Sequence, residues 1–226
     1  MTRKGNLSRR AWLQSGFAAA VGAATTRLAA VMGREPACDG TPPQTAGPFY
    51  PTVQGADEDM DLTRVAGSDG RAEGELLYVR GTVLDEQCRP VADALVEIWQ
   101  ANRHGRYHHE RDDSPAPLDP HFQGWGEVLT GADGRYGFKT VIPGAYGAGA
   151  GMRTPHIHFR IARRGYHELI TQMYFDGQDL NPQDGLWTGL SEDDRARVTI
   201  ALEPSPEDDE PGARLASFDI VLRPVS

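Results

Sequence analysis

The sequence predicts an all-β protein, an antiparallel β-sandwich with long functional loops and little helix. Short runs rich in β-branched and aromatic residues alternate apolar with polar positions. Glycine and proline, 26 and 16 of them in 226 residues, fall between those runs where turns are needed. Helical periodicity is absent apart from a short turn at Ser191 to Ala196.

The first thirty residues stand apart from that fold. They open basic and turn apolar only from Gly16 to Ala24. Ser8-Arg9-Arg10, followed by Trp12-Leu13-Gln14, resembles a twin-arginine export signal, with a cleavage site near Leu28-Ala29-Ala30. The apolar run is far shorter than the roughly 20 residues of a spanning helix, so no stable membrane span is expected. Its charges precede the apolar residues instead of interleaving with them, unlike a surface-binding arm. Residues 1–30 are therefore expected to engage the twin-arginine translocase and deliver a periplasmic or secreted protein. That segment holds five basic residues and no acidic one, so the formal net charge of −9 becomes −14 without it. So acidic a surface repels phosphate backbones, and nucleic acid is not an expected partner.

The remaining 196 residues suffice for one domain. Residues 31–75, rich in Pro, Gly and Asp, read as an irregular N-terminal arm, and residues 76–226 as the sandwich. Within it the expected strands are Leu76–Leu84, closed by a turn from Asp85 to Pro90, then Ala94–Gln100, Arg135–Ile142, His156–Ala162, Leu169–Phe175, Arg197–Leu202 and Ala216–Leu222. Pro204 to Pro211 reads as an acidic hairpin loop. With only Cys38 and Cys88, no CxxC metal knuckle exists; pairing in an oxidising compartment and two separate thiols both fit.

The chemistry concentrates in Arg153-Thr154-Pro155-His156-Ile157-His158-Phe159. Residues i and i+2 of a strand share a face about 6.6 Å apart, so two imidazoles so placed can converge on one metal ion. Two surface histidines on an alternating strand would look the same. No acid lies on that strand, so further ligands must come from elsewhere. Tyr107 follows the strand ending at Trp99-Gln100, and Tyr146 sits in the turn Ile142-Pro143-Gly144-Ala145-Tyr146-Gly147. Both lie on loops leaving the sheet, where sites are usually built, although either alone also reads as a packing aromatic.

These segments are similar to the intradiol ring-cleavage dioxygenases, closer to the protocatechuate type than to the catechol type. The resemblance runs from Thr41-Pro42-Pro43-Gln44-Thr45-Ala46-Gly47-Pro48-Phe49-Tyr50 to the last strand. It takes in Pro90 to Ala101, Pro117 to Gly126, Ala132-Asp133-Gly134-Arg135-Tyr136, Pro143-Gly144-Ala145-Tyr146 and the His-x-His strand with Arg153 ahead of it. It implies one Fe(III) per chain held by Tyr107 and His156 as equatorial ligands and Tyr146 and His158 as axial ones. A phenol ionises only near pH ~10 unless something favours the anion. A hard trivalent cation does so, and phenolate oxygens in turn favour Fe(III) over Fe(II). The implied reaction opens an aromatic diol with O2 between its hydroxyl carbons, giving a muconate-type diacid. Tyr146 would leave the iron and take up a substrate proton, Arg153 would stabilise the electron-rich ring, and Gln172 would lie near it. A homo-oligomer is a further expectation. The arm is too short for the long helical dimerisation segment of catechol-type members, and Gly147 to Gly151 lacks the aromatic common there in protocatechuate enzymes.

Two rival readings make different demands. A transthyretin-like carbohydrate-binding or regulatory sandwich shares the Asp-Gly and Pro-Gly-x-Tyr turns but needs no such set of tyrosines, histidines and arginine. A zinc hydrolase on His156 and His158 would take a carboxylate such as Asp176 as third ligand.

Overall fold

The structure, a computed structural model, describes residues 37–51, 59–148, 151–207 and 209–225. The export segment expected at residues 1–30 lies outside them. Among the described residues the strands are, in chain order, β1 (Leu76–Asp85), β2 (Leu95–Trp99), β3 (Trp125–Leu129), β4 (Arg135–Val141), β5 (Tyr146–Ala148), β6 (Gly151–Arg153), β7 (His156–Ala162), β8 (Leu169–Phe175), β9 (Thr199–Ile200), β10 (Glu203–Pro204), β11 (Arg214–Ser217) and β12 (Ile220–Leu222). A 3-10 turn at Asn181–Gln183 and the helices α1 (Gly185–Thr188) and α2 (Glu192–Val198) fall between β8 and β9.

Two sheets make the sandwich. In one, β1 is flanked by antiparallel β4 on one side and by β11 and β12 on the other. The second runs in the order β3-β2-β7-β8-β9, and β5 and β6 form a separate hairpin. Alternation decides what each face carries. On β7, Ile157, Phe159 and Ile161 enter the core, where Phe159 meets Tyr136 of β4 at 6.3 Å and Phe218 at 5.1 Å between ring centroids. Each such burial contributes about 1.5–3 kcal/mol. Val96 and Ile98 of β2 and Met173 and Phe175 of β8 join them.

The alternate residues of these strands form the sheet's opposite face. Trp125, Trp99, His158 and Gln172 lie directly opposite one another on β3, β2, β7 and β8, a row crossing four strands. A second small cluster of buried residues, Trp99, Ala101, Tyr107, Trp125 and Tyr146, gathers on this side. The arm runs along the edge of β8 and reaches this face at Thr45, whose carbonyl accepts from Gln172 Nε2. The Ile170 carbonyl accepts from Gln44 N–H at 2.7 Å, and Thr171 Oγ1 donates to the Pro42 carbonyl at 2.8 Å. At its start, Cys38 and Cys88 are joined in a disulfide, with Cα atoms 5.3 Å apart.

The expected sandwich with little helix is present, but its sheets are mixed. β1 runs parallel to β11 and β12, and β8 parallel to β9, because alternation within a strand carries no information about a partner's direction. The strand expected from Arg197 begins at Thr199; Arg197 and Val198 complete α2. That helix is capped by Ser191, with Glu192, Asp193 and Asp194 in its first turn and Arg195 and Arg197 in its last, the charge order its dipole favours. The last expected strand is broken at Phe218-Asp219, where Thr82 N–H donates to the Asp219 side chain at 2.7 Å instead of to a backbone carbonyl.

Candidate metal centre

Two glycines bring the tyrosine loops together. Gly105 has a φ of +79°, and a Cβ there would stand 2.0 Å from the Ala145 carbonyl oxygen. A Cβ on Gly144 would stand 2.5 Å from the Arg103 carbonyl oxygen. Backbone thus packs on backbone, and the Asn102 carbonyl accepts N–H groups from both Gly105 and Gly144, at 3.0 and 2.9 Å. Buried Asn102 also accepts from the His104 and Arg106 N–H groups through its side chain, which shapes the loop ahead of Tyr107. The outcome is an edge-on contact of Tyr107 and Tyr146, with centroids 5.3 Å apart.

The histidines complete the cluster. His156 lies 5.6 Å from the Tyr146 ring and His158 6.4 Å from the Tyr107 ring. Nε2 of His156 faces Nε2 of His158 at 3.2 Å. His156 Nδ1 donates to the Thr154 carbonyl at 2.6 Å, which leaves its Nε2 without a proton. His158 lies flat against Trp99, 4.8 Å away and 4° from parallel. Its Nδ1 has no partner at full hydrogen-bond geometry, and the Thr45 carbonyl favours the protonated ring. Tyr107, Tyr146, His156 and His158, expected as a set, are therefore brought together with all four side chains buried.

Electrostatics keeps the imidazoles neutral. Burial, then the Arg153 charge, holds His156 down to about 3. Burial, then His156 and Arg153, holds His158 well below its ordinary value. Burial pushes the Tyr107 phenol well above 10, and Tyr146 adds to that. Burial also raises Tyr146, while the Arg153 guanidinium draws it part of the way back.

This donor set fits a hard cation. Two nitrogens about 2.1 Å from a shared ion and as far apart as these would subtend roughly 100° at it, an ordinary ligand angle. Tyr107 Oη is buried with no hydrogen-bond partner at full geometry, a costly state unless an ion or ligand meets it. No group of three or more His, Cys, Asp or Glu converges among the described residues, and Asp176 is exposed, so the carboxylate of a hydrolytic zinc site is missing.

Arg153 and Gln172 border the cluster. Arg153 Nη2 donates to Gln172 Oε1 at 2.5 Å and Nε to Asp184 Oδ2 at 2.8 Å, while Gln172 Nε2 donates to the Thr45 carbonyl at 2.9 Å. Asp184, Trp99 and Phe49, whose ring lies 4.7 Å from Tyr107, were not singled out in the sequence as site residues. Asp184 precedes a short helix as its N-cap, a local pattern that announces a cap but not a distant arginine. A cavity of about 420 Å³ shares Trp99 and Tyr107 with this cluster, yet none of Tyr146, Arg153, His156, His158 or Gln172 lines it. Converging donors, not cavity size, mark the centre.

A family model described as Dioxygenase matches residues 45–224. The protocatechuate 3,4-dioxygenase beta chain of Burkholderia cepacia is 44% identical over 183 residues, covering 77% of each chain. A hydroxyquinol 1,2-dioxygenase of Nocardioides simplex is 30% identical over 212 residues, 85% of this chain and 68% of that one. Among solved structures, the dioxygenase domain of a dioxygenase carbohydrate-binding protein fusion from Streptomyces sp. SirexAA-E is 29% identical with a TM-score of 0.62, covering 83% of this chain and 100% of that one.

Proposed function

The chain belongs to the intradiol dioxygenase family, and on that premise we propose that it uses Fe(III) and O2 to open a protocatechuate-like aromatic diol to a muconate-type diacid. The observation that carries the iron reading is the convergence of two neutral imidazoles, Nε2 to Nε2 at 3.2 Å, with two buried phenols that interact with each other. Tyr107, Tyr146, His156 and His158 are the residues that would hold the ion. When bound, Fe(III) supplies a Lewis acid that ionises phenols and draws electron density from a chelated catecholate.

The residues around it have separate tasks. His156 presents Nε2 because its Nδ1 proton is spent on Thr154. Tyr146 has a burial-raised pKa, so its oxygen would readily hold a proton received from a substrate hydroxyl. Arg153 keeps a fixed positive charge beside Tyr146, where it would stabilise an electron-rich substrate ring. Phe49 and Trp99 line the metal side with apolar surface that excludes water. The balance needs no outside reductant. One ring C–C bond breaks, both oxygen atoms enter the product, and the four electrons that reduce O2 come from the diol.

We also propose export by the twin-arginine route. The Cys38–Cys88 disulfide supports an oxidising destination, and no helix among the described residues is long and apolar enough to cross a membrane. Oxygen uptake with catechol, protocatechuate and hydroxyquinol tests the substrate reading. A preference for protocatechuate supports it, and uptake with none of the three contradicts it.

A further inference from the structure

Asp184 is fully buried, and four donors converge on its carboxylate. Oδ2 accepts from Arg153 Nε at 2.8 Å and from the Thr154 N–H at 3.0 Å. Oδ1 accepts from the Leu186 and Trp187 N–H groups at the start of α1, at 2.8 and 3.3 Å. A buried anion persists only when paired and hydrogen-bonded on both oxygens, and this one is.

Its partners lead to two different groups of the site. On one branch, Arg153 has Nε committed to Asp184 and Nη2 to Gln172, and its guanidinium also acts on the Tyr146 and Tyr174 phenols. On the other, Thr154 is held through its N–H, and its carbonyl, one peptide unit further along, accepts from His156 Nδ1, the bond that leaves Nε2 bare. One carboxylate oxygen thus sits between the substrate-side cation and the metal-side imidazole.

We propose that Asp184 is a positioning residue of this site. It fixes the Arg153 guanidinium and the His156 ring relative to each other without itself touching substrate. The inference rests on the function proposed above, because it takes Arg153 to meet an anionic catecholate. A site whose groups must be held within about half an ångström needs such support behind its contacting residues.

Asp184→Asn keeps the shape but has one acceptor oxygen for two pairs of donors. The test is a double-mutant cycle with Arg153→Met on the iron-loaded protein, reading the dissociation constant of 4-nitrocatechol from its visible band. Each single variant is expected to bind about tenfold more weakly, and the double variant no more weakly than Arg153→Met alone, within about twofold. Asp184→Asn is also expected to shift the resting phenolate-to-iron band in the Arg153→Met background, where no guanidinium remains to move it. Losses that multiply to about a hundredfold in the double variant, or an unchanged affinity in Asp184→Asn, overturn the proposal. An unmoved band overturns its His156 half. A wild-type protein that loads iron yet binds no 4-nitrocatechol overturns the catecholate reading itself, a result distinct from additivity. If Asp184→Asn fails to fold, Asp184→Glu, which keeps charge and acceptors but moves them, enters the same cycle with the same criteria.

Discussion

Nε2 of His156 lies 3.2 Å from Nε2 of His158, and the two rings are held there by different means. Alternate strand residues stand about 6.6 Å apart, so the rings must lean toward one another to approach so closely. His156 is held by its bond to the Thr154 carbonyl, and His158 by the parallel face of Trp99. The lone pair on His156 Nε2 points at His158 Nε2, so either a proton on His158 Nε2 or a cation shared by both rings fits between them. The lean is therefore supported by the surroundings and consistent with a shared ligand.

Gly105→Ala tests how the tyrosines are brought together. The new Cβ would meet the Ala145 carbonyl at 2.0 Å on a backbone with φ of +79°. A loss of about 2–4 kcal/mol in urea unfolding is expected. The phenolate-to-iron band should weaken as well, since Tyr107 and Tyr146 separate. Wild-type stability with an intact band would contradict this account of the loop contact.

The two tyrosines should fail differently. Tyr146→Phe is expected to keep most of its iron but to chelate substrate about a hundredfold more slowly in stopped-flow mixing, because the leaving group that accepts a proton is gone. Tyr107→Phe removes the more deeply buried phenol, which meets no partner at full hydrogen-bond geometry, and should lose both iron and activity. Full activity in Tyr107→Phe would contradict its assignment as a ligand.

Asp85 gives the fold an acid-side limit. Burial alone would raise its carboxyl, but Arg89 and the Gln87 and Arg89 N–H groups outweigh that and hold it below 3.8. A carboxyl depressed on folding contributes stability above its unfolded value, and that contribution is lost as pH falls through the folded one. Asp85→Asn should thus cost about 1–3 kcal/mol at pH 7, and the gap from wild type should narrow below pH about 4. Urea midpoints at pH 7, 4 and 3 check it; a gap constant across that range contradicts it.

Much of this was legible in the residues themselves. Ile157, Phe159 and Ile161 alternate with His156 and His158, and that pattern alone sets which face is core and which is site. The strand Trp125–Leu129 is hidden in the sequence, because Gly124 and Gly126 bracket Trp125 and mask its β character. The β5–β6 hairpin and α1 are too short to leave a periodic trace. Asp184 was invisible for another reason: its partners Arg153 and Thr154 lie 31 and 30 residues upstream, and only the folded chain joins them.

Export can be tested apart from chemistry. The twin-arginine route carries folded proteins, which suits a site assembled from separate loops that must fold before it holds a metal. Replacing Arg9 and Arg10 by Lys is expected to strand a folded, iron-loaded enzyme in the cytoplasm, with Cys38 and Cys88 reduced. Wild type should reach the periplasm without its first thirty or so residues and with the disulfide formed. Normal export of the Lys variant would contradict the signal assignment and leave the metal assignment intact.

The metal itself is the most direct test of the central claim. Purified protein analysed for metals and scanned in the visible should contain about one iron per chain and show a reddish phenolate-to-iron charge-transfer band that changes on adding a catechol. Stoichiometric zinc with no visible band would contradict the account.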